Sequence, residues 1–109
     1  MSIRVAILGA GRIGQVHARA VAGNNHAILA AVYDPVTSAA SVAEQYGSEI
    51  RDLAAIAAAD DIDAVIICTP TDLHAQQIEQ FARAGKAVFC EKPIDLDSAR
   101  VRACLDVVY

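Results

Sequence analysis

The chain has 109 residues, a net charge of −4 and 55% hydrophobic residues, which suffices for one folded domain and excludes a disordered tail. Nine Lys and Arg against 13 Asp and Glu leave no basic surface for nucleic acid. The apolar runs fall short of the ~18 residues that span a bilayer, and the N-terminus has no secretory-signal pattern, so we expect no membrane association. Three widely spaced cysteines without a CxxC pair predict reduced thiols in a cytoplasmic protein, and no metal site.

Short β-branched runs alternate with longer alanine-rich segments, and this alternation predicts parallel strands joined by helices. The predicted strands are 3–8, 28–33, 48–51, 64–69 and 86–90. The predicted helices are 12–22, 37–46, 53–59 with Asp52 as its cap, 71–84 and a last one capped by Asp97. The predicted fold is therefore α/β: a doubly wound parallel sheet of the Rossmann type with strand order 3-2-1-4-5. The uniformly apolar strands favour a sheet that is covered on both faces.

Two helices have apolar side chains at helical spacing, which predicts a buried stripe on each. The stripe of the first helix consists of Ile13, Val16, Ala20 and Val21, and that of the last helix consists of Val101, Cys104, Leu105 and Val108.

Residues 9–14 have the pattern G-x-G-x-x-G and lie between the first predicted strand and the first predicted helix. In this context Gly9 permits a tight turn, Gly11 lets a pyrophosphate approach the backbone, and Gly14 lets the helix approach the strand. Arg12 and Ile13 open the helix, whose first N–H groups can hold the anion. The segment predicts a dinucleotide-phosphate site, with a purely structural turn as the alternative.

Asp34 follows Gly14 by 20 residues, at the end of the second predicted strand. A carboxylate there can accept hydrogen bonds from both hydroxyls of an adenosine ribose and would repel a 2′-phosphate. Because no Lys or Arg occurs between Asp34 and Arg51, the predicted coenzyme is NAD rather than NADP. Arg12 could still reach a 2′-phosphate, and Asp34 could instead be a turn residue before Pro35.

Two polar clusters follow later strands, at the sheet edge where doubly wound folds bind ligands. The first contains Thr69, Pro70, Thr71, Asp72 and His74, and the second is Glu91-Lys92-Pro93. Each also has a plain structural interpretation. Thr71 or Asp72 could cap a helix, His74 could be a solvated first-turn residue, and the charged pair could simply end a strand.

Taken together, these segments resemble the Gfo/Idh/MocA family of oxidoreductases, and the resemblance extends over the whole chain. It is carried by residues 7–14 with His17, by Tyr33-Asp34-Pro35, by 61–65, by 69–74, by Gly85-Lys86 and by Glu91-Lys92-Pro93. The Thr-Pro-x-x-x-His and Glu-Lys-Pro elements are the specific ones, whereas many families share the glycine loop.

The resemblance implies a two-domain enzyme that uses NAD or NADP to oxidise a secondary alcohol of a sugar or polyol, like inositol dehydrogenase. It implies that Lys92 is catalytic and faces both nicotinamide and substrate. The residues that it assigns to the cofactor cleft are Thr69, Pro70, Thr71, His74, Glu91 and Lys92. His17 also matches the family, but we interpret it as helix packing beside the apolar stripe. We expect a homo-oligomer.

Family members continue into a sixth strand and a larger substrate domain. We therefore expect residues 1–109 to be the dinucleotide-binding domain of a longer enzyme, shortened before the sixth strand and nearly inactive alone. A non-catalytic dinucleotide-binding module or sensor is one alternative. An adenosylmethionine-dependent methyltransferase is another, since it also has a glycine loop and an acid after its second strand. Neither alternative requires Lys92 after the fifth strand.

Overall fold

A sheet of five parallel strands forms the centre of the computed structural model, which describes residues 2–34, 39–92 and 94–108. The strands are β1 (Ile3–Leu8), β2 (Ala27–Tyr33), β3 (Glu49–Ile50), β4 (Ala64–Ile67) and β5 (Ala87–Cys90). The helices are α1 (Arg12–Ala22), α2 (Ala39–Tyr46), α3 (Leu53–Ala58), α4 (His74–Arg83) and α5 (Ser98–Val108). The strand order is β3-β2-β1-β4-β5, so the predicted fold class and topology are confirmed.

The central strand β1 carries the chain to the candidate site. It pairs with β2 on one side and β4 on the other, and its last four residues are buried. The chain first builds outward from β1 through β2 to β3, then crosses back to place β4 on the opposite side of β1. This reversal creates a switch point between the carboxyl ends of β1 and β4, where open α/β sheets bind their ligands.

Alternating side chains of the strands divide the core into two clusters, one on each face of the sheet. One cluster includes Ala6, Leu8, Val65 and Ile67 of the strands with Ile56, Ile78, Phe81 and Cys104 of the helices. The other includes Val5, Ile7, Leu29 and Val32 with Ala18, Val21 and Val42. Burial of these apolar side chains drives the layered arrangement.

The face that α1 turns to the sheet agrees with the predicted stripe only at Val21. Gly14, Ala18 and Val21 are buried, whereas Ile13 and Val16 are 47% and 59% exposed. Gly14 lies at the closest contact, because the backbone of α1 approaches the loop after β1 and a Cβ on Gly14 would clash with the Gly9 carbonyl. Ala20 is exposed as well, so hydrophobic spacing is wrong for three residues of the predicted stripe and is confirmed for Val21.

The expected double covering of the sheet does not extend to β5. Phe89 is 54% exposed, and of the predicted α5 stripe only Cys104 is fully buried, with Leu105 39% and Val108 41% exposed. β5 is the last strand in the sheet order, so its outer side has no neighbouring strand within the described ranges.

Helix starts follow local hydrogen bonds. Asp52 Oδ1 accepts the backbone N–H of Ala55 at 2.7 Å, as the predicted cap of α3, and Asp97 Oδ1 accepts that of Ala99 at 2.9 Å before α5.

The predicted helix start at residue 71 is wrong, because a 3-10 turn over Thr71–Leu73 precedes α4. β4 ends at Ile67 rather than at residue 69. The predicted start of the second helix at residue 37 lies outside the described residues.

Among the helices in the described ranges, none has the length and apolar character needed to cross a bilayer.

Candidate functional site

A cleft of about 390 Å³ opens at the switch point between β1 and β4. Its lining residues are Gly9, Gly11, Arg12, Ile13, Asp34, Cys68, Thr69 and Pro70. Seven of these were predicted as cofactor-binding residues, and they come from three separate parts of the sequence. Cys68 is the lining residue that the sequence analysis missed, because the three cysteines were interpreted only as reduced thiols that hold no metal.

The three glycines of the loop meet different surroundings. Gly9 has a φ of +99°, and a Cβ there would lie 2.6 Å from the carbonyl carbon and oxygen of Cys68. A Cβ on Gly14 would lie 1.8 Å from the carbonyl oxygen of Gly9. A Cβ on Gly11, by contrast, would have no atom within 4 Å. Gly9 and Gly14 are therefore needed to pack the loop, while Gly11 borders the open cleft.

Asp34 holds the glycine loop in place. Its Oδ2 accepts the backbone N–H of Ala10 at 2.6 Å, and Gly9 donates its N–H to the carbonyl of Tyr33 at 2.7 Å. A carboxylate has about four acceptor positions, so the same group can hold the loop and accept hydrogen bonds from a ligand. These two hydrogen bonds join the loop and the end of β2 into one wall of the cleft.

The opposite wall, Thr69 and Pro70, is tied to α4 from beneath. Thr69 is 6% exposed and donates its hydroxyl to Gln77 Oε1 at 2.5 Å, while His74 donates Nε2–H to the Thr69 carbonyl at 2.6 Å. His74 and Gln77 are each 2% exposed. The interpretation of His74 as a solvated residue is therefore wrong, and its contact with the cleft runs through Thr69.

Thr71 lies in the 3-10 turn and, like His74, is absent from the cleft lining. Gln77 was not predicted. The signal that could have found it is its position three residues after His74, among apolar positions on the buried face of α4.

Glu91 and Lys92 follow β5 and are not among the residues that line this cleft. Glu91 donates its backbone N–H to the Ile67 carbonyl at 3.0 Å, and its carboxylate is hydrogen-bonded to His17 Nε2. His17 also packs edge-on against Phe89, with ring centroids 5.5 Å apart. The interpretation of His17 as packing was therefore incomplete, because it also connects α1 to the start of the Glu-Lys-Pro element. Lys92 is exposed, and Pro93 lies outside the described residues.

The thiols near the site are protonated at neutral pH. Burial raises the pKa of Cys68 to about 12, with a smaller effect from the charge of Glu91, and burial raises the pKa of Cys90 to about 11. All three cysteines are free. Because the thiolate is the reactive species, these side chains act as small apolar groups. In the parts of the chain that the structure describes, no group of His, Cys, Asp and Glu is arranged to hold a metal ion.

The residues present fit a dinucleotide. α1 begins at Arg12, and no side chain caps its N-terminus, so backbone N–H groups of its first turn point toward the glycine-lined end of the cleft. The open space at Gly11 permits close approach of a phosphate group. Asp34, at the end of β2, supplies acceptors where a ribose would follow.

Comparison with known proteins connects this geometry to a family. The family model of the Gfo/Idh/MocA proteins, described as an oxidoreductase family with an NAD-binding Rossmann fold, matches residues 3–108. The inositol 2-dehydrogenase of Rhizobium meliloti (strain 1021) is 65% identical over 109 residues, which cover 99% of this chain and 33% of that protein.

Two solved structures superpose closely on the chain. Scyllo-inositol dehydrogenase from Lactobacillus casei, with bound NAD(H) and scyllo-inositol, has a TM-score of 0.91 at 36% identity, covering 99% of this chain and 33% of its own. A 3-ketoreductase from Actinomadura kijaniata, in complex with NADP and TDP-benzene, has a TM-score of 0.89 at 29% identity. The match covers 99% of this chain and 34% of the ketoreductase chain. The chain thus spans about a third of the length of the relatives it matches. Because the family model covers nearly all of its residues, the chain belongs to the Gfo/Idh/MocA oxidoreductases with an NAD-binding Rossmann fold.

Proposed function

We propose that this chain is the coenzyme-binding domain of an NAD-dependent dehydrogenase, and that the cleft between β1 and β4 holds the dinucleotide. The single observation that carries the proposal is the contrast among the loop glycines. Gly9 and Gly14 are closed off by packing, whereas Gly11 faces open space beside the uncapped start of α1. Such a loop is suited to receive a pyrophosphate.

Asp34 supports NAD over NADP as the coenzyme. Its carboxylate lines the cleft, held by the N–H of Ala10, and a 2′-phosphate placed at this position would meet a negative charge. Arg12 is the cation among the lining residues and could offset part of that repulsion. Since relatives with NAD(H) and with NADP are both known, the choice depends on this local balance of charge.

The reaction that we propose for the longer protein is oxidation of a secondary hydroxyl of an inositol or a related polyol. The bound coenzyme supplies the hydride acceptor. The chain's own contribution is to orient the coenzyme through the glycine loop and to place Lys92 at the carboxyl end of β5, where it removes the hydroxyl proton or polarises the product carbonyl. The names of relatives, such as inositol 2-dehydrogenase, support this substrate class.

The remaining assignments are proposals as well. Residues 1–109 would form the coenzyme domain, and the substrate pocket would lie mainly in another domain. The three free thiols support a cytoplasmic location. Assembly into a homo-oligomer is consistent with the exposed apolar side chains at β5 and α5.

Coenzyme binding is tested by titrating the chain with NADH and NADPH and following nicotinamide fluorescence. We expect NADH to bind more tightly than NADPH. Asp34→Ala should weaken NADH binding by about 10- to 150-fold, the range for losing hydrogen bonds to a charged group, and should weaken NADPH binding less. Asp34→Asn is the matched control, because its side-chain oxygen can still accept the Ala10 N–H while the charge is gone. Equal loss for both coenzymes, or tighter NADPH binding by the wild type, would contradict the assignment.

Catalysis is tested in a chimaera in which residues 3–108 replace the matching third of the Rhizobium meliloti enzyme. We expect this chimaera to reduce NAD with myo-inositol. Lys92→Ala should lower kcat by about 10²-fold or more, the scale for losing a general acid–base group, with little change in NADH affinity. Near-normal turnover of the Lys92→Ala chimaera would remove Lys92 from the mechanism. A chimaera that binds NADH but oxidises no polyol would favour the non-catalytic module.

A further inference from the structure

A polar pair lies buried directly beneath one wall of the cleft. Thr69 and Gln77 are 6% and 2% exposed, and the Thr69 hydroxyl donates to Gln77 Oε1 at 2.5 Å. Gln77 belongs to α4, between the buried residues Ala75, Ile78 and Phe81, where an apolar side chain would be the ordinary choice. Burying a polar pair in a core gives little net stability over apolar residues of the same shape.

The hydrogen bonds leave Thr69 little freedom to move. Gln77 Oε1 is an acceptor, so the Thr69 hydroxyl must be turned toward α4 to donate its proton. From the same helix, one turn earlier, His74 donates Nε2–H to the Thr69 carbonyl at 2.6 Å. The side chain and the carbonyl of Thr69 are thus both hydrogen-bonded to α4, while Thr69 and Pro70 line the cleft.

We propose that Gln77 is a positioning residue for the dinucleotide site, acting through Thr69. It fixes the distance between the Thr69–Pro70 wall and the glycine loop, and therefore the width of the cleft that the coenzyme must fill. Gln77 itself does not line the cleft, so its effect on binding is indirect. This inference rests on the proposed binding of NAD in the cleft and adds to it a residue that no family motif marked.

The test is NADH titration of three variants, each at a temperature where circular dichroism shows the chain to be folded. Gln77→Met keeps the length of the side chain and removes the acceptor. Gln77→Glu retains an acceptor oxygen. Gln76→Met is the matched control, because Gln76 is the exposed neighbour on the same helix. We expect Gln77→Met to weaken NADH binding by about 5- to 30-fold, the scale of one lost hydrogen bond. Gln77→Glu should restore part of the affinity, and Gln76→Met should bind as the wild type does.

A folded Gln77→Met variant with wild-type affinity would overturn the proposal. If Gln77→Met does not fold, Gln77→Asn takes its place, because it keeps the amide but shortens the side chain by one methylene, which moves the acceptor oxygen away from the Thr69 hydroxyl. Wild-type affinity in the folded Gln77→Asn variant overturns the proposal, and weakened affinity supports it. Failure of the wild-type chain to bind NADH is a different outcome: it refutes the proposed function, whereas wild-type binding without any effect at Gln77 refutes only the positioning role.

Discussion

Two alanine substitutions in the glycine loop should separate packing from ligand binding. In Gly14→Ala, the new Cβ would lie 1.8 Å from the carbonyl oxygen of Gly9 and 2.7 Å from its carbonyl carbon. Ordinary contact begins at about 3.4 Å, so α1 would have to retreat from β1 by more than an ångström or the loop would have to change shape. Gly11→Ala adds the same methyl group where no atom lies within 4 Å.

The stability costs follow from these distances. Overpacking of a core costs about 1–3 kcal/mol, and this clash involves backbone on both sides, so we expect about 3 kcal/mol for Gly14→Ala. Since 1 kcal/mol shifts Tm by about 4–8 °C in a domain near this size, Tm should fall by about 12–24 °C. Gly11 is the N-cap of α1 with a φ of −73°, which alanine can adopt, so Gly11→Ala should cost less than about 1 kcal/mol.

Thermal melting by circular dichroism measures the loss of stability in each variant, and NADH titration measures the loss of coenzyme affinity. Gly11→Ala should melt within a few degrees of the wild type but lose most of its NADH affinity, because its methyl group occupies the space proposed for the pyrophosphate. A Gly14→Ala variant that melts like the wild type would refute the packing argument. A Gly11→Ala variant with unchanged NADH affinity would show that the coenzyme does not approach the backbone at this residue.

Two further predictions concern charge and assembly. Hydrogen bonds from Arg4 lower the pKa of Asp63 to about 2. The ionised Asp63 carboxylate therefore adds to the free energy of unfolding above about pH 4, and this contribution is lost as the pH falls toward 2. The stability difference between the wild type and Asp63→Asn, measured by urea unfolding, should therefore shrink over this interval, and a constant difference would contradict the assignment. The exposed Phe89 on the edge strand β5 should promote self-association of the 109-residue chain. Light scattering should detect oligomers that Phe89→Lys reduces, whereas a monodisperse wild-type monomer at high concentration would count against the prediction.

The sequence by itself determined the features that depend on neighbouring residues. Alternating β-branched and alanine-rich segments specified the order of strands and helices, and Asp52 could be recognised as a cap because a cap needs only the next few backbone N–H groups. Gly9 and Gly14 are local in the same sense, since Gly9 adopts a φ of +99° and a Cβ on Gly14 would meet the carbonyl oxygen of nearby Gly9. For these features, residues within one or two turns of each other contain the necessary information.

Only the tertiary structure decided which residues meet across the chain. The buried face of α1 follows from close approach of its backbone at Gly14, which hydrophobic spacing does not record. His17 reaches Glu91 from 74 positions away, and the burial of Gln77 depends on how α4 lies beneath the end of β4. The physical reason is that helical spacing defines the faces of a helix, while the packing of distant elements selects which face is buried and which polar atoms find partners there.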